Sequence, residues 1–187
     1  MTEQVVANNQ VDEGKKYKIG EVIGVGGFGL VYEAYDQTRD QKVVIKVLKR
    51  KNKEETFKKE INIMKQIDHP SVICLLDTFR TQESTFCAVL NFAENGSILS
   101  DIMRNGVYNE DKMKVYMKSI LEGLDAIHQK GIIHNDIKAA NILLNKGKAM
   151  IADFGASIDT KLTKNLKSSI GSPHWMSPET VCGKDLS

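Results

Sequence analysis

Residues 132–144 read IIHNDIKAANILL, a run in which polar side chains lie between two apolar segments. Apolar runs of this length are typical of short buried strands, so we predict that the polar middle is a loop held at a fixed depth. Within it, Asp136 could accept a proton from a hydroxyl, Lys138 could neutralise charge on a phosphate, and Asn141 could hold a metal ion. A hydrogen-bonded polar turn is the alternative interpretation of the same residues.

The composition is that of a globular protein rather than of a disordered chain. The 187 residues are 41% hydrophobic and 27% charged, and the formal net charge of +2 is too small to argue for nucleic acid or membrane binding. No segment is apolar enough to span a bilayer, and the N-terminal residues carry no apolar signal region. Three cysteines without CxxC spacing argue against a disulfide framework or a zinc site. We expect a cytoplasmic protein, with a nuclear location as the alternative.

The pattern of apolar residues divides the chain into a strand-rich part and a helix-rich part. Apolar residues at helical spacing predict helices over 53–67 and, with a wide apolar stripe, over 110–129. The texture changes near residue 94, so we predict a flexible segment over 1–14, an N-terminal part over 15–94 and a C-terminal part over 95–187. Segments rich in β-branched and aromatic residues predict strands over 17–24, 30–36, 42–49, 71–79 and 85–92.

A glycine-rich stretch, GVGGFGLV over residues 24–31, follows the first predicted strand. Glycines at its first, third and sixth positions would let backbone N–H groups approach phosphate oxygens without hindrance from a Cβ atom. In a dinucleotide-binding fold this spacing would open a helix, but here it leads into a strand pattern. A glycine-rich hairpin, either as a simple turn or as the cover of a nucleotide, is what the pattern allows.

Two further signals are charged residues in apolar surroundings. Lys46 lies in an apolar strand pattern, where its ammonium group needs a polar partner. Glu60 on the predicted helix or an anionic phosphate could supply one, and solvent at a sheet edge is the alternative. Asp153, which opens the sequence DFG after a short apolar run, would suit a Mg²⁺ ligand on a bend, although ordinary turns also have this sequence.

The order of these motifs, from the glycine loop through Lys46, Glu60, HxDxKxxN and DFG to the sequence SPE over 177–179, resembles that of the eukaryotic protein kinases. The resemblance covers about 17–179, and the sequences DIKAANILL and GSPHWMSPE are similar to those of the sterile-type group, which includes kinases of MAP-kinase cascades. It implies an α+β fold of two lobes: a five-stranded antiparallel sheet with one helix, and a mainly helical C-lobe. It also implies transfer of the γ-phosphate of ATP to Ser or Thr hydroxyls of protein substrates, in intracellular signalling.

The resemblance assigns a role to each matched position. In this family a lysine paired with a helix glutamate holds the ATP phosphates, an aspartate takes the base role, and an asparagine and a second aspartate bind Mg²⁺. The catalytic residues implied here are Lys46, Glu60, Asp136 and Lys138, and the Mg²⁺ ligands are Asn141 and Asp153. Met64, Leu75, His134 and Phe154 would stack as an apolar spine. The residues implied to contact ATP are Ile23, Gly24, Val25, Gly26, Gly27, Phe28, Gly29, Val31, Val44, Lys46, Leu90, Asn91, Ala93 and Leu143.

Some positions depart from the family pattern. Asn135 stands where an arginine normally precedes the catalytic aspartate and binds a phosphate on the activation segment, which an asparagine cannot match. We therefore expect phosphorylation of Ser168 or Ser169 to change activity little. Ala139 replaces a proline, and Val44 replaces an alanine over the adenine ring.

The chain ends at Ser187, whereas kinases of this family continue for several more helices. The resemblance therefore predicts an incomplete C-lobe, the loss of the buried arginine partner of Glu179, and exposure of part of the apolar stripe over 110–129. A fragment of an enzyme, or a partner that covers this surface, would account for such a face. The alternative function is a catalytically weak or inactive nucleotide-binding module that regulates a partner. A dehydrogenase-like enzyme is a poorer alternative, because the glycine loop leads into a strand.

Overall fold

The structure is a computed structural model, and it describes residues 16–25, 29–49, 51–162 and 171–182. Within these ranges, one compact unit comprises the residues up to 61 together with 74–92, and a second comprises 62–73 together with those from 93 onward. The limits 15–94 and 95–187 stay predictions. The predictions that lie outside the described residues concern the flexible segment 1–14, Gly26, Gly27, Phe28, Ser168, Ser169 and the side chain of Glu179.

A five-stranded antiparallel sheet forms most of the first unit, as predicted. Its strands are β1 (Tyr17–Val25), β2 (Gly29–Asp36), β3 (Gln41–Leu48), β4 (Leu75–Arg80) and β5 (Phe86–Asn91). They lie in the order β1-β2-β3-β5-β4. Alternate residues of β3, namely Val43, Ile45 and Val47, are buried in a core against β2 and β5, whereas Val44 and Lys46 on the opposite face are half-buried.

The turn between β2 and β3 is closed by the buried carboxylate of Asp36. Its Oδ1 accepts hydrogen bonds from the backbone N–H groups of Thr38 and Arg39, at 2.9 and 3.1 Å, and Arg39 also donates to Oδ2 at 2.7 Å. Burial raises the pKa of Asp36, but the hydrogen bonds from Thr38 and Arg39 outweigh burial and hold the pKa well below its usual range. These bonds hold the turn directly beside the first pair of the β2–β3 register, Asp36 opposite Gln41.

The first helix, α1 (Glu54–Met64), packs Phe57 and Ile61 against the sheet, on the face opposite the core described above. Acidic residues in its first turn complement the helix dipole. The helix is shorter than the predicted 53–67, because the N–H groups of Gln66 and Ile67 bond to carbonyls three residues back and tighten the chain into turns. The predicted C-terminal limit was therefore wrong by one turn.

The second unit is mainly helical among its described residues. Its elements are α2 (Ile98–Asn105), α3 (Glu110–Gln129), β6 (Ile132–Ile133), β7 (Ile142–Asn145), β8 (Lys148–Ile151), β9 (Ile158–Asp159) and α4 (Pro178–Val181). The prediction for α3 is confirmed at both ends. Asn109 caps it by accepting from the N–H of Lys112, at 2.9 Å. No described helix is long and apolar enough to cross a membrane.

Short antiparallel pairs support the polar loop between β6 and β7. The strand β6 pairs with β9, and β7 pairs with β8. The two apolar runs of IIHNDIKAANILL are thus β6 and β7, and the polar residues between them form a loop, as the sequence predicts.

The predicted strand over 71–79 was wrong in its first half. The N–H of Ile151 in β8 donates to the carbonyl of Ser71, and the N–H of Ile73 donates to the carbonyl of Ile151, both at 2.8 Å. These bonds place residues 71–73 beside β8 in the second unit. The strand β4, which pairs with β5, begins at Leu75, four residues later than predicted.

Part of the apolar stripe of α3 is exposed, as expected. Tyr116, Ile120 and Ile127 are buried, whereas Met113 and Leu121 expose 40% and 59% of their surface, with Met117 between them also exposed. The exposed residues recur at every fourth position and so lie along one side of the helix.

Replacing Gly123 in α3 by alanine is expected to destabilise the second unit by about 1–3 kcal/mol. In an exposed helix interior the same change would stabilise the protein by about 1 kcal/mol. Here a Cβ atom would lie 2.7 Å from the carbonyl oxygen of Ser71 and 3.1 Å from Cδ1 of Ile151. Urea denaturation measures the difference, with Glu122→Ala on the exposed neighbouring position as the control. A gain in stability for Gly123→Ala would contradict the packing shown.

Candidate active site

One face of the sheet in the first unit brings together several residues predicted to contact ATP. In the strand register Gly24 lies opposite Val31, and Val31 lies opposite Lys46. The next row places Val44 opposite Leu90. Directly opposed residues of antiparallel strands point to the same face, so these five positions share one surface. All five are half-buried, in contrast to the closed core on the other face.

The steric surroundings differ between Gly29 and Gly24, the two glycines of the glycine-rich stretch that the structure describes. At Gly29 a Cβ atom would lie 1.9 Å from the carbonyl oxygen of Val47, so the approach of β2 to β3 excludes any side chain. At Gly24, within the part of the chain that the structure describes, a Cβ atom would meet Val31 alone, at an ordinary 3.6 Å. The described residues of the sheet therefore do not require a glycine at position 24, where a bare backbone would let an external group approach Val31. Ile23 and Val25 beside it are exposed.

Lys46 and Glu60 form a buried ion pair within the first unit. The Lys46 Nζ donates to Oε1 of Glu60 at 2.6 Å, and the two side chains are only 14% and 3% exposed. The ammonium group also lies 5.7 Å from the ring centroid of Phe57 on the same helix. The pair joins β3 to α1 and fixes a cation beside the face that carries Val31 and Val44, as the motif predicted.

Asp136 is the centre of a hydrogen-bond network in the second unit. Its Oδ2 accepts from Lys138 Nζ and from Asn141 Nδ2, each at 2.8 Å. Its Oδ1 accepts from the backbone N–H of Ser172 at 3.0 Å. Burial raises the pKa of Asp136, but the bonds from Lys138, Ser172 and Asn141 outweigh burial and hold the pKa below its usual value. The carboxylate is therefore ionised at neutral pH, where it can orient a hydroxyl and receive its proton.

Asn141 and Asp153 offer oxygen atoms of the kind that Mg²⁺ prefers. The amide nitrogen of Asn141 donates to the carbonyl and to Oδ2 of Asp136, which leaves its amide oxygen as an acceptor. The N–H of Ala152 donates to the carbonyl of Asn141 at 2.9 Å, so the next residue, Asp153, is held close to that loop. No cluster of three or more His, Cys, Asp or Glu suited to a metal occurs in the described ranges. One carboxylate and one amide oxygen fit a magnesium ion that completes its shell with water and phosphate oxygens.

His134 is hydrogen-bonded to the backbone of Asp136 and to that of Ala152, the residue before Asp153. Its buried ring donates from Nε2 to the carbonyl of Ala152, at 3.1 Å, and its Nδ1 accepts from the N–H of Asp136, at 3.3 Å. Burial lowers the pKa of His134, which keeps the ring neutral in this tautomer. The ring packs edge-on against Phe154, with centroids 5.0 Å apart. These two members of the predicted spine are in contact, and the inclusion of Met64 and Leu75 stays a prediction.

Ser172 contributes more than the sequence indicated. In the sequence, Ser172 was only part of GSPHWMSPE, a stretch similar to that of the sterile-type group. In the structure Ser172 accepts a hydrogen bond from Lys138 Nζ, at 2.6 Å, in addition to its bond to Asp136. A Cβ atom at Gly171 would lie 2.6 Å from the carbonyl of Asn135, so only glycine permits this approach. Ser172 lies 36 residues from Asp136, a separation at which no local pattern signals contact.

The remaining predicted ATP-contact residues are divided between the units. Asn91 ends β5, and its side-chain oxygen accepts from the N–H of Cys74 at 2.6 Å. Ala93 and Leu143 belong to the second unit, where both are half-buried.

The family model described as "Protein kinase domain" matches residues 17–187. The chain belongs to the protein kinase family. This result confirms the resemblance drawn from the motifs and makes the dehydrogenase alternative wrong. The five-stranded antiparallel sheet and the helical second unit are the α+β kinase fold that the family implies.

Curated relatives narrow the comparison within the kinases. The chain is 37% identical over 174 residues to "Cytokinesis protein sepH" of Aspergillus terreus, covering 91% of this chain and 13% of that protein. It is 34% identical over 190 residues to "Mitogen-activated protein kinase kinase kinase A" of Dictyostelium discoideum, covering 96% and 20%. It is 37% identical over 176 residues to "MAP3K epsilon protein kinase 1" of Arabidopsis thaliana, covering 89% and 13%. The names of these relatives support the assignment of the chain to the sterile-type group of protein kinases. The chain spans a fifth or less of the length of each relative.

Proposed function

We propose that the chain is an ATP- and Mg²⁺-dependent serine/threonine protein kinase. The observation that carries the proposal is the ionised carboxylate of Asp136, held by Lys138, Asn141 and Ser172 within the second unit. A carboxylate in this setting orients a substrate hydroxyl and takes its proton as phosphate transfer proceeds, while the Lys138 ammonium group stabilises negative charge beside it. Because the pKa of Asp136 is lowered, we assign orientation a larger part than early deprotonation.

The other residues of the proposed site bind and align the nucleotide. Lys46, oriented by Glu60, binds phosphate oxygens through its ammonium group, and the backbone at Gly24 approaches them without a side chain. Val44 and Leu90 offer an apolar surface for adenine. Asn141 and Asp153 bind the metal, which supplies charge neutralisation on the phosphates. Phosphoryl transfer of this kind depends mainly on positioning and charge.

Protein substrates and a role in intracellular signalling extend the proposal. They are supported by the relatives named as MAP-kinase-cascade kinases, because this chain matches them over about nine-tenths of its length. We propose a cytoplasmic location, with a nuclear one as the alternative.

The second candidate function is a catalytically weak nucleotide-binding module that regulates a partner. It is favoured by the exposed apolar residues Met113, Met117 and Leu121 along one side of α3. A partner that covers this side would bury them.

A transfer assay with labelled ATP tests both candidates. We expect Mg²⁺-dependent labelling of peptides that carry Ser or Thr, little labelling of Tyr peptides, and loss of labelling in EDTA. Asp153→Ala should raise the Mg²⁺ concentration needed for half-maximal transfer by about tenfold or more, because it removes a charged ligand. Asp111→Ala, at the exposed start of α3, is the matched control. Nucleotide binding without transfer would favour the regulatory module, and a folded chain that binds no ATP would contradict both.

A further inference from the structure

The loop that carries Asp136 is joined by uncharged contacts to the segment that follows Asp153. The amide Nδ2 of Asn135 donates to the carbonyl of Ala156 at 3.2 Å. The hydroxyl of Ser157 donates in the opposite direction, to the carbonyl of His134, at 3.1 Å. Next to these contacts, β6, which precedes His134, pairs through its backbone with β9, which follows Ser157. Both ends of the contact region lie in the second unit.

Asn135 has a backbone conformation that restricts which residue can stand there. Its φ angle is +63°, in the left-handed region that most side chains avoid and that asparagine tolerates better than most. A side chain at the same position must also reach the carbonyl of Ala156 with a donor. Asparagine meets both demands, whereas glycine meets only the first, and an aspartate would direct a carboxylate at the carbonyl.

The turn that begins at Asp153 is closed by its own hydrogen bonds and is connected to the loop of Asp136 at both of its ends. Inside it, the N–H of Gly155 donates to Oδ1 of Asp153, and the N–H of Ser157 donates to the carbonyl of Phe154 at 3.0 Å. One end is connected to the loop of Asp136 and Asn141 by the hydrogen bond from the N–H of Ala152 to the carbonyl of Asn141. The other end is attached through the side chains of Asn135 and Ser157.

We propose that Asn135 is a positioning residue. The hydrogen bond from its side-chain amide to the carbonyl of Ala156 holds the turn of Asp153 against the loop of Asp136 and Asn141. This inference rests on the proposed function for its meaning, because Asp153 and Asn141 are the proposed metal ligands. The contact is neutral, so it needs no phosphate to complete it. Asn135 acts through Asp153 and touches no substrate.

The test compares nucleotide binding with and without Mg²⁺ in the full chain. The main variant is Asn135→Gly, which keeps the left-handed backbone and removes the amide, and Asn135→Asp replaces the donor by an acceptor. The control is Asn105→Gly, which removes an amide that donates to Asp101 at 2.7 Å in the same unit. Binding is measured with a fluorescent ATP analogue in Mg²⁺ and in EDTA. Hydrogen exchange of the backbone amides of residues 155–158 is measured without nucleotide.

We expect Asn135→Gly to weaken binding in Mg²⁺ about three- to tenfold, the scale of one lost hydrogen bond, and to leave binding in EDTA unchanged. Asn135→Asp should weaken it at least as much. In both variants the amides of Gly155 and Ser157 should exchange faster than in the wild type, and Asn105→Gly should change neither measurement.

Separate outcomes overturn the positioning role and the proposed function. Equal losses of affinity in Mg²⁺ and in EDTA would assign Asn135 a general stabilising role and overturn the inference, as would unchanged hydrogen exchange. A wild-type chain that binds no nucleotide would contradict the proposed function. In that case the exchange rates of residues 155–158 still decide whether Asn135 holds the turn.

Discussion

Asp136→Asn is expected to lower the rate of phosphate transfer about 10²–10⁴-fold while nucleotide affinity stays within about twofold of the wild type. The amide has the size of the carboxylate, but it carries no charge and cannot receive the hydroxyl proton. Oδ2 of Asp136 accepts from two donors, Lys138 Nζ and Asn141 Nδ2. An amide nitrogen in its place is itself a donor and could accept from neither. An amide oxygen in that place would turn the nitrogen toward the N–H of Ser172 instead.

The matched control for this variant is Asp125→Asn. Asp125 lies on the exposed side of α3, where its carboxylate accepts only from Gln129 among the bonds shown, at 2.7 Å. Rates at saturating peptide and affinities for a fluorescent ATP analogue distinguish lost chemistry from lost binding. If Asp136→Asn transferred phosphate at the wild-type rate, the assignment of Asp136 would be wrong. Asp125→Asn should keep the wild-type transfer rate and the wild-type affinity for the ATP analogue.

Lys46→Met is expected to weaken nucleotide affinity about 10- to 100-fold and to lower the free energy of unfolding by about 3–5 kcal/mol. The first effect arises because the ammonium group forms charge-assisted bonds to phosphate. The second arises because the change removes the cation that lies 2.6 Å from the Glu60 carboxylate, a group only 3% exposed. Urea denaturation and analogue binding measure the two effects separately.

Two further variants separate binding from stability. Lys42→Met is the control on the same strand, since Lys42 is 56% exposed and pairs with Glu33 at the surface. It should change both measurements little, because exposed ion pairs contribute about 0–1 kcal/mol. The double variant Lys46→Met/Glu60→Leu removes both charges and should recover most of the stability but none of the affinity. Recovery of affinity in the double variant would show that Lys46 does not bind phosphate.

Elements whose signals are local could be predicted from the amino-acid sequence alone. Segments rich in β-branched and aromatic residues predicted β2, β3 and β5 to within one residue at each end, and the apolar stripe predicted α3 at both limits. The motif order determined the family, because each motif is short and its residues are neighbours in the chain. The candidates Lys46, Asp136 and Asn141 came from the same local signals. Periodicity reports which face of a segment is buried, and this property depends on near neighbours alone.

The fold, in contrast, established which segments meet. It placed β5 between β3 and β4, so that Val44 and Leu90 lie side by side. It drew residues 71–73 to β8, because the backbone groups of Ser71 and Ile73 bond to Ile151 rather than to the five-stranded sheet. It also brought Ser172 to Asp136 and the amide of Asn135 to Ala156, across separations of 36 and 21 residues. Such contacts depend on where the chain returns after long intervals, and local composition carries no record of that position.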